Sequence, residues 1–92
     1  MQIEYIEMST AEQQAVFGCQ DRFARMIEKA FSVLIGLRES KVEVKGEDLT
    51  GVSNAVSVLQ SLQQIYDQGE GDAINDGMIY RLIDEATEGA LK

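Results

Sequence analysis

From Val16 onward, apolar residues recur at spacings of three and four: Val16, Cys19, Phe23, Met26, Ala30, Val33 and Leu37. At helical geometry of about 100° per residue, Ala24, Ile27, Phe31 and Leu34 lie beside that stripe, and Phe17 and Ile35 widen it. Asp21, Arg22, Arg25, Glu28, Lys29 and Ser32 fill the opposite side. Upstream, Ser9-Thr10-Ala11-Glu12 has the form of a capping box, in which a hydroxyl and a carboxylate each satisfy a free backbone N–H. The pattern predicts a helix over residues 9–37, with Gly18 and Gly36 on its polar side as places for a break or an end.

A second helix is predicted over 47–68. Leu49 to Tyr66 contains no charged side chain, and Asp48 and Asp67 bound it. Its apolar members, among them Val52, Ala55, Val58, Leu59 and Leu62, share one broad side. Thr50, Ser53, Asn54, Ser57, Gln60, Ser61 and Gln64 share the other. Glu47 and Asp48 fall in the first turn, where the helix dipole favours acids, and Gly69 and Gly71 suit its end. A third helix is predicted over 74–89, with Ile74, Met78, Ile79, Leu82, Ile83, Ala86 and Ala90 inward.

Gln2 to Tyr5 and Lys41 to Lys45 alternate polar and apolar residues. They could pair as a β-ribbon or serve as an extended arm and a loop. An isolated two-stranded ribbon is marginal in water, which favours the arm and the loop. The expected fold is therefore all-α: a three-helix antiparallel bundle in one domain, residues 1–92.

The first two helices each carry an apolar arc of about 200°, against the ~100° or somewhat more that one side of a small core needs. That surplus predicts self-association, a twofold dimer being the commonest form, with Phe17, Phe31, Ile35, Val58 and Ile65 at the interface. The neutral outer face of the second helix could be covered by a partner at less desolvation cost than a charged one. Ser57 and Gln64 on that face are candidate contacts.

Composition agrees with a small globular domain. Apolar residues make up 45% of the 92, and proline is absent, which favours helices over a loop-rich β fold. No apolar run approaches the ~18 residues of a membrane span. The N-terminal MQIEYIEMS carries acids where a signal peptide would carry bases. The single cysteine excludes an internal disulfide. A cytoplasmic location is expected.

The net charge of −8 is uneven. Arg22, Arg25, Lys29, Arg38, Lys41 and Lys45 make residues 22–45 basic, whereas the segments on either side are acidic. This balance disfavours direct binding to nucleic acid and suits a basic partner. Arg22, Arg25 and Lys29 are candidate contacts for an acidic group, and Asp72 and Asp76 for a basic one.

Candidate chemistry is thin. The chain has no histidine, so the usual zinc sets and His-activated nucleophiles are missing, and Cys19 reads as a small buried hydrophobe. The acidic turn from Asp67 to Asp76 does not fit a calcium loop: started at Asp67, it places Met78 where the bidentate Glu belongs. No phosphate-binding or nucleophile-elbow motif occurs. Carboxylates such as Asp84, Glu85 and Glu88 read as a solvated face.

The expectation is a non-enzymatic interaction protein without cofactor or metal: a self-associating regulator, adaptor or inhibitor. Two alternatives are an acidic mimic of nucleic acid, which requires its carboxylates on one continuous surface, and an oligomer that sequesters a small anion.

Overall fold

The computed structural model describes residues 1–18, 21–38 and 40–90. In chain order it contains β1 (Gln2–Glu7), α1 (Thr10–Phe17), α2 (Arg22–Phe31), β2 (Leu34–Leu37), β3 (Lys41–Gly46), α3 (Leu49–Ile65) and α4 (Asp76–Ala90). The expected all-α, three-helix bundle is overturned, because three strands form an antiparallel sheet in the order β1-β3-β2.

The long first helix resolves into three elements. Ser9 caps α1 with both reciprocal bonds of the capping box. α1 stops at Gly18, whose φ of 75° an L side chain rarely adopts and whose missing Cβ leaves room for the Phe23 ring. The expectation for Cys19 lies outside the described residues. α2 ends where Ser32 turns left-handed, at φ 55°. After that turn the chain runs extended through Leu34–Leu37. Continuous apolar runs do not distinguish a buried strand from a helix face, and Val33-Leu34-Ile35 is such a run.

The alternating segments 2–5 and 41–45 are strands, not an arm and a loop. Gln2 pairs with Gly46, Tyr5 with Glu43 and Glu7 with Lys41. On its other side β3 pairs with β2, Leu34 opposite Lys45 and Leu37 opposite Val42. The third strand and the helices over one face remove the marginality of a lone ribbon.

Ile6, Val42 and Val44 point from the sheet into the core, where they join Val16, Ala24 and Ile27 of α1 and α2 and Val52, Ala55, Leu59 and Leu62 of α3. α3 lies against β1 and β3, α2 lies against β2 and α3, and α4 covers α3 and α2. The wide apolar arc of α3 is therefore used within one chain, the sheet taking one side and α4 the other. Asp48 caps α3 through the Thr50 N–H. Beyond α3 the chain winds through a π turn (Tyr66–Glu70) and a 3₁₀ turn (Gly71–Ala73) to α4.

Candidate interaction surface

The helices cover one face of the sheet, and the other is open. Register decides which residues lie on it. Val42 and Val44 face the helices, so Lys41, Glu43 and Lys45 face outward, with Ile3, Tyr5 and Glu7 of β1 and Leu34 and Gly36 of β2 beside them. Ile3 is 46% exposed, Tyr5 54% and Leu34 62%. Leu37, at the far end of β2, is 51% exposed.

Glu43 sits at the centre of this open face yet is only 6% exposed. Its carboxylate lies beside Gly36, where an added Cβ would be 3.8 Å away. The Tyr5 hydroxyl donates to it at 3.2 Å, Arg38 at 3.4 Å, and the Lys45 ammonium stands 3.7 Å off. The Lys41 ammonium lies 6.0 Å from the Tyr5 ring centre, at the outer limit of a cation–π contact. Burial would push the Glu43 carboxyl up, but Arg38 and Lys45, with the Tyr5 hydroxyl, hold it below its ordinary value.

A carboxyl depressed by folding stabilises the native state above its unfolded pKa, and that contribution is lost as pH falls through the folded value. Urea melts of Glu43→Gln and the wild-type chain should therefore differ most near neutrality. The gap should close as the pH drops below the ordinary glutamate value of about 4.3. A constant gap down to strong acid would mean that the charge on Glu43 adds nothing to stability.

The residues expected from the sequence to contact partners do not form one site. Arg22 and Asp76 come together as an ion pair between the starts of α2 and α4. Arg25 and Lys29 are exposed on α2, Ser57 and Gln64 on α3, and Asp72 in the 3₁₀ turn. Ser57 lines a groove of about 550 Å³, with Thr50 and Asn54 of α3 and Glu85 and Ala86 of α4. Of the five residues expected at an oligomer interface, Phe17 and Val58 are buried inside the chain. Phe31 and Ile35 pack partly against the core, and Ile65 is half-buried.

Acids are distributed around the fold. Glu47 and Asp48 stand before α3, and Asp67, Glu70 and Asp72 follow it. The 17 residues of α3 span about 25 Å between these groups. At the far end the Glu12 and Asp67 carboxyls lie side by side. The Ser9 backbone N–H and then the Asp67 carboxyl lower Glu12, while the bond to Glu12 raises Asp67. Among the described residues, no three metal-ligating side chains converge, and no helix is long and apolar enough to cross a membrane.

Tyr5, Glu43, Ile3 and Leu34 were missed as surface residues. The signal was the alternation of Lys41, Glu43 and Lys45, which on a strand places all three on one face. It becomes decisive only once the strand is known to have neighbours.

No protein-family profile and no curated protein sequence matches this chain. Among solved structures the chain is similar to Dim2p from Pyrococcus horikoshii OT3, with a TM-score of 0.66 and 18% identity. The likeness is one of fold. It covers 90% of this chain and 49% of Dim2p, so the chain spans about half the length of the structure it matches.

Proposed function

We propose that this domain acts by protein contact and not by catalysis, and that the open face of its sheet is the contact surface. The observation that carries this reading is the band of Ile3, Tyr5 and Leu34 left in solvent while the apolar arcs of α1, α2 and α3 are used in the core. Exposed apolar side chains grouped on one face mark a contact surface, and here they flank a polar network whose carboxylate is already buried and paired. The Tyr5–Glu43–Arg38 network holds the centre of this face in place before a partner arrives.

Self-association through the five residues named from the sequence loses its premise, since Phe17 and Val58 are already covered. A twofold dimer on the open face alone is also small. Three short strands span about 14 by 20 Å, well under the ~800 Å² per partner of a stable interface. A different protein, reaching beyond the face, suits the surface better. The spread of acids over both ends of α3 counts against a nucleic-acid mimic. We place the domain in the cytoplasm, as its single cysteine suggests.

Leu34→Asp tests the proposal. Leu34 is exposed, so the substitution should leave stability within about 0.5 kcal/mol of the parent. Quantitative capture from the native host should lose the partner with Leu34→Asp and keep it with Ser57→Lys on α3. The reverse pattern would move the contact surface to α3.

A further inference from the structure

A three-stranded sheet has two edges, and this chain treats them differently. Arg38 donates its N–H to the Lys41 carbonyl at 2.8 Å, which makes that pair a hydrogen-bonded one. Alternation then turns the backbone groups of Leu34 and Gly36 toward β3 and those of Ile35 and Leu37 outward. The outward Ile35 N–H is occupied, donating to the Glu28 carboxylate of α2 at 2.8 Å. A helix side chain therefore blocks the β2 edge, one of the ways proteins protect a free strand.

On β1, Met8 donates to the Ser40 carbonyl at 3.0 Å, so the groups of Ile6, Glu4 and Gln2 turn toward β3 and those of Ile3, Tyr5 and Glu7 outward. Gln63 of α3 donates to the Glu7 carbonyl at 2.7 Å. Among the described residues nothing meets the outward N–H and C=O of Ile3 or Tyr5. This edge also lacks the lysine or proline that commonly guards one.

We propose that the outer edge of β1 accepts a further strand from a basic protein partner, an extended segment alternating Lys or Arg with β-branched residues. This rests on the reading of the domain as a contact module and specifies how it binds. Main-chain bonds to Ile3 and Tyr5 supply the attachment, and side chains select the occupant. Glu4, on the helix side of β1, and Glu7, on the open side, are the charges an added strand meets first. Lys41 lies one strand away, over the Tyr5 ring. A cation beside Glu4 and a branched apolar residue beside Ile3 and Tyr5 complete both faces.

A second copy of the chain is a poor occupant. An antiparallel β1–β1 pair that bonds Ile3 of one copy to Tyr5 of the other sets Glu4 directly opposite Glu4, and like charges across strands repel. The net charge of −8 adds to that repulsion.

The test is titration of the ¹⁵N-labelled chain with a capped six-residue peptide of alternating Lys and Val, followed by amide shifts and exchange. Saturable shifts along Gln2–Glu7, with slowed exchange at Ile3 and Tyr5, are expected. A Glu–Val peptide of the same length should bind about tenfold or more weakly, a difference of 1.4 kcal/mol or more. Ile3→Pro removes an outward N–H that the sheet does not use, so it should keep the fold and weaken the Lys–Val peptide about tenfold. Glu4→Lys is the second variant and should reverse the preference between the two peptides.

Unchanged affinity in both variants overturns the proposal, as does equal binding of the two peptides or no saturable shift. Shifts confined to Leu34, Gly36 and Lys45, with exchange at Ile3 and Tyr5 unaltered, overturn strand addition while leaving the open-face reading intact. That reading fails separately if Leu34→Asp keeps the captured partner.

Discussion

Val58→Glu should largely unfold this domain rather than separate two subunits. From the sequence, Val58 is an interface residue, and a charge there should dissociate a dimer while leaving each chain folded. In the structure Val58 is 1% exposed. It lies on α3 where Leu82, Glu85 and Ala86 of α4 close over it. The new carboxylate would enter a narrow seam lined by Ser57, Ser61, Leu82 and Ala86, with Glu85 beside it and no cation among the lining residues. A buried, unpaired charge costs several kcal/mol even after the group neutralises itself by taking up a proton. A loss of about 4 kcal/mol or more is expected, against a total stability on the order of 5–15 kcal/mol for a small domain. Urea melts followed by circular dichroism, with sedimentation at several concentrations, separate the two outcomes. A variant that melts like the parent but changes its mass would show that α4 does not cover this seam.

Gly51→Ala should destabilise the chain, although helix propensity taken alone says the opposite. Replacing an exposed glycine inside a helix by alanine ordinarily gains up to about 1 kcal/mol. At Gly51 an added Cβ would stand 2.7 Å from the Phe31 carbonyl oxygen, closer than real Cβ contacts come. The neighbour is backbone at the end of α2, so it can move only if α2 and α3 separate. Overpacking of this kind costs about 1–3 kcal/mol, enough to reverse the propensity gain. For a domain of this size a net loss of ~1–2 kcal/mol lowers Tm by roughly 5–15 °C. Ser57→Ala, on the exposed side of the same helix, should hold or slightly raise Tm. If Gly51→Ala raises Tm as well, the close approach of α2 and α3 is wrong.

Both expectations depend on where helices meet, which hydrophobic periodicity does not encode. The seam at Val58 and the approach at Gly51 are created by residues far away in the chain, Leu82 and Ala86 in one case and Phe31 in the other. The same limit produced the long first helix. Apolar spacing from Val16 to Leu37 fits one helical stripe, yet Gly18 and Ser32 turn left-handed and divide it into a helix, a second helix and a strand. Gly18 was visible as a candidate break. Ser32 was not, because a serine at positive φ is held by its surroundings and not by its type.

The candidate surface was legible only in fragments. Alternation placed Lys41, Glu43 and Lys45 on one side of an extended segment, but two strands alone are marginal, and nothing local announced β2 as the third. Without β2, Gly36 does not stand beside Glu43, and the Tyr5–Glu43–Arg38 network has no reason to exist. Cross-strand register is a long-range property: Tyr5 and Glu43 meet although they stand 38 positions apart in the chain.

The sequence by itself determined the local signals: the capping box at Ser9, a helix through the uncharged stretch between Asp48 and Asp67, the acidic start of α4 and the overall negative charge. Each depends on neighbours a few residues apart, within reach of one turn of backbone. The tertiary structure alone decided that the alternating segments are strands, that the broad apolar arcs close on the sheet and α4, and that Glu28 occupies one edge of the sheet while, among the described residues, nothing meets Ile3 or Tyr5 at the other. These outcomes depend on which surfaces meet, and burial on folding is the sum of contacts between segments that no local pattern can see.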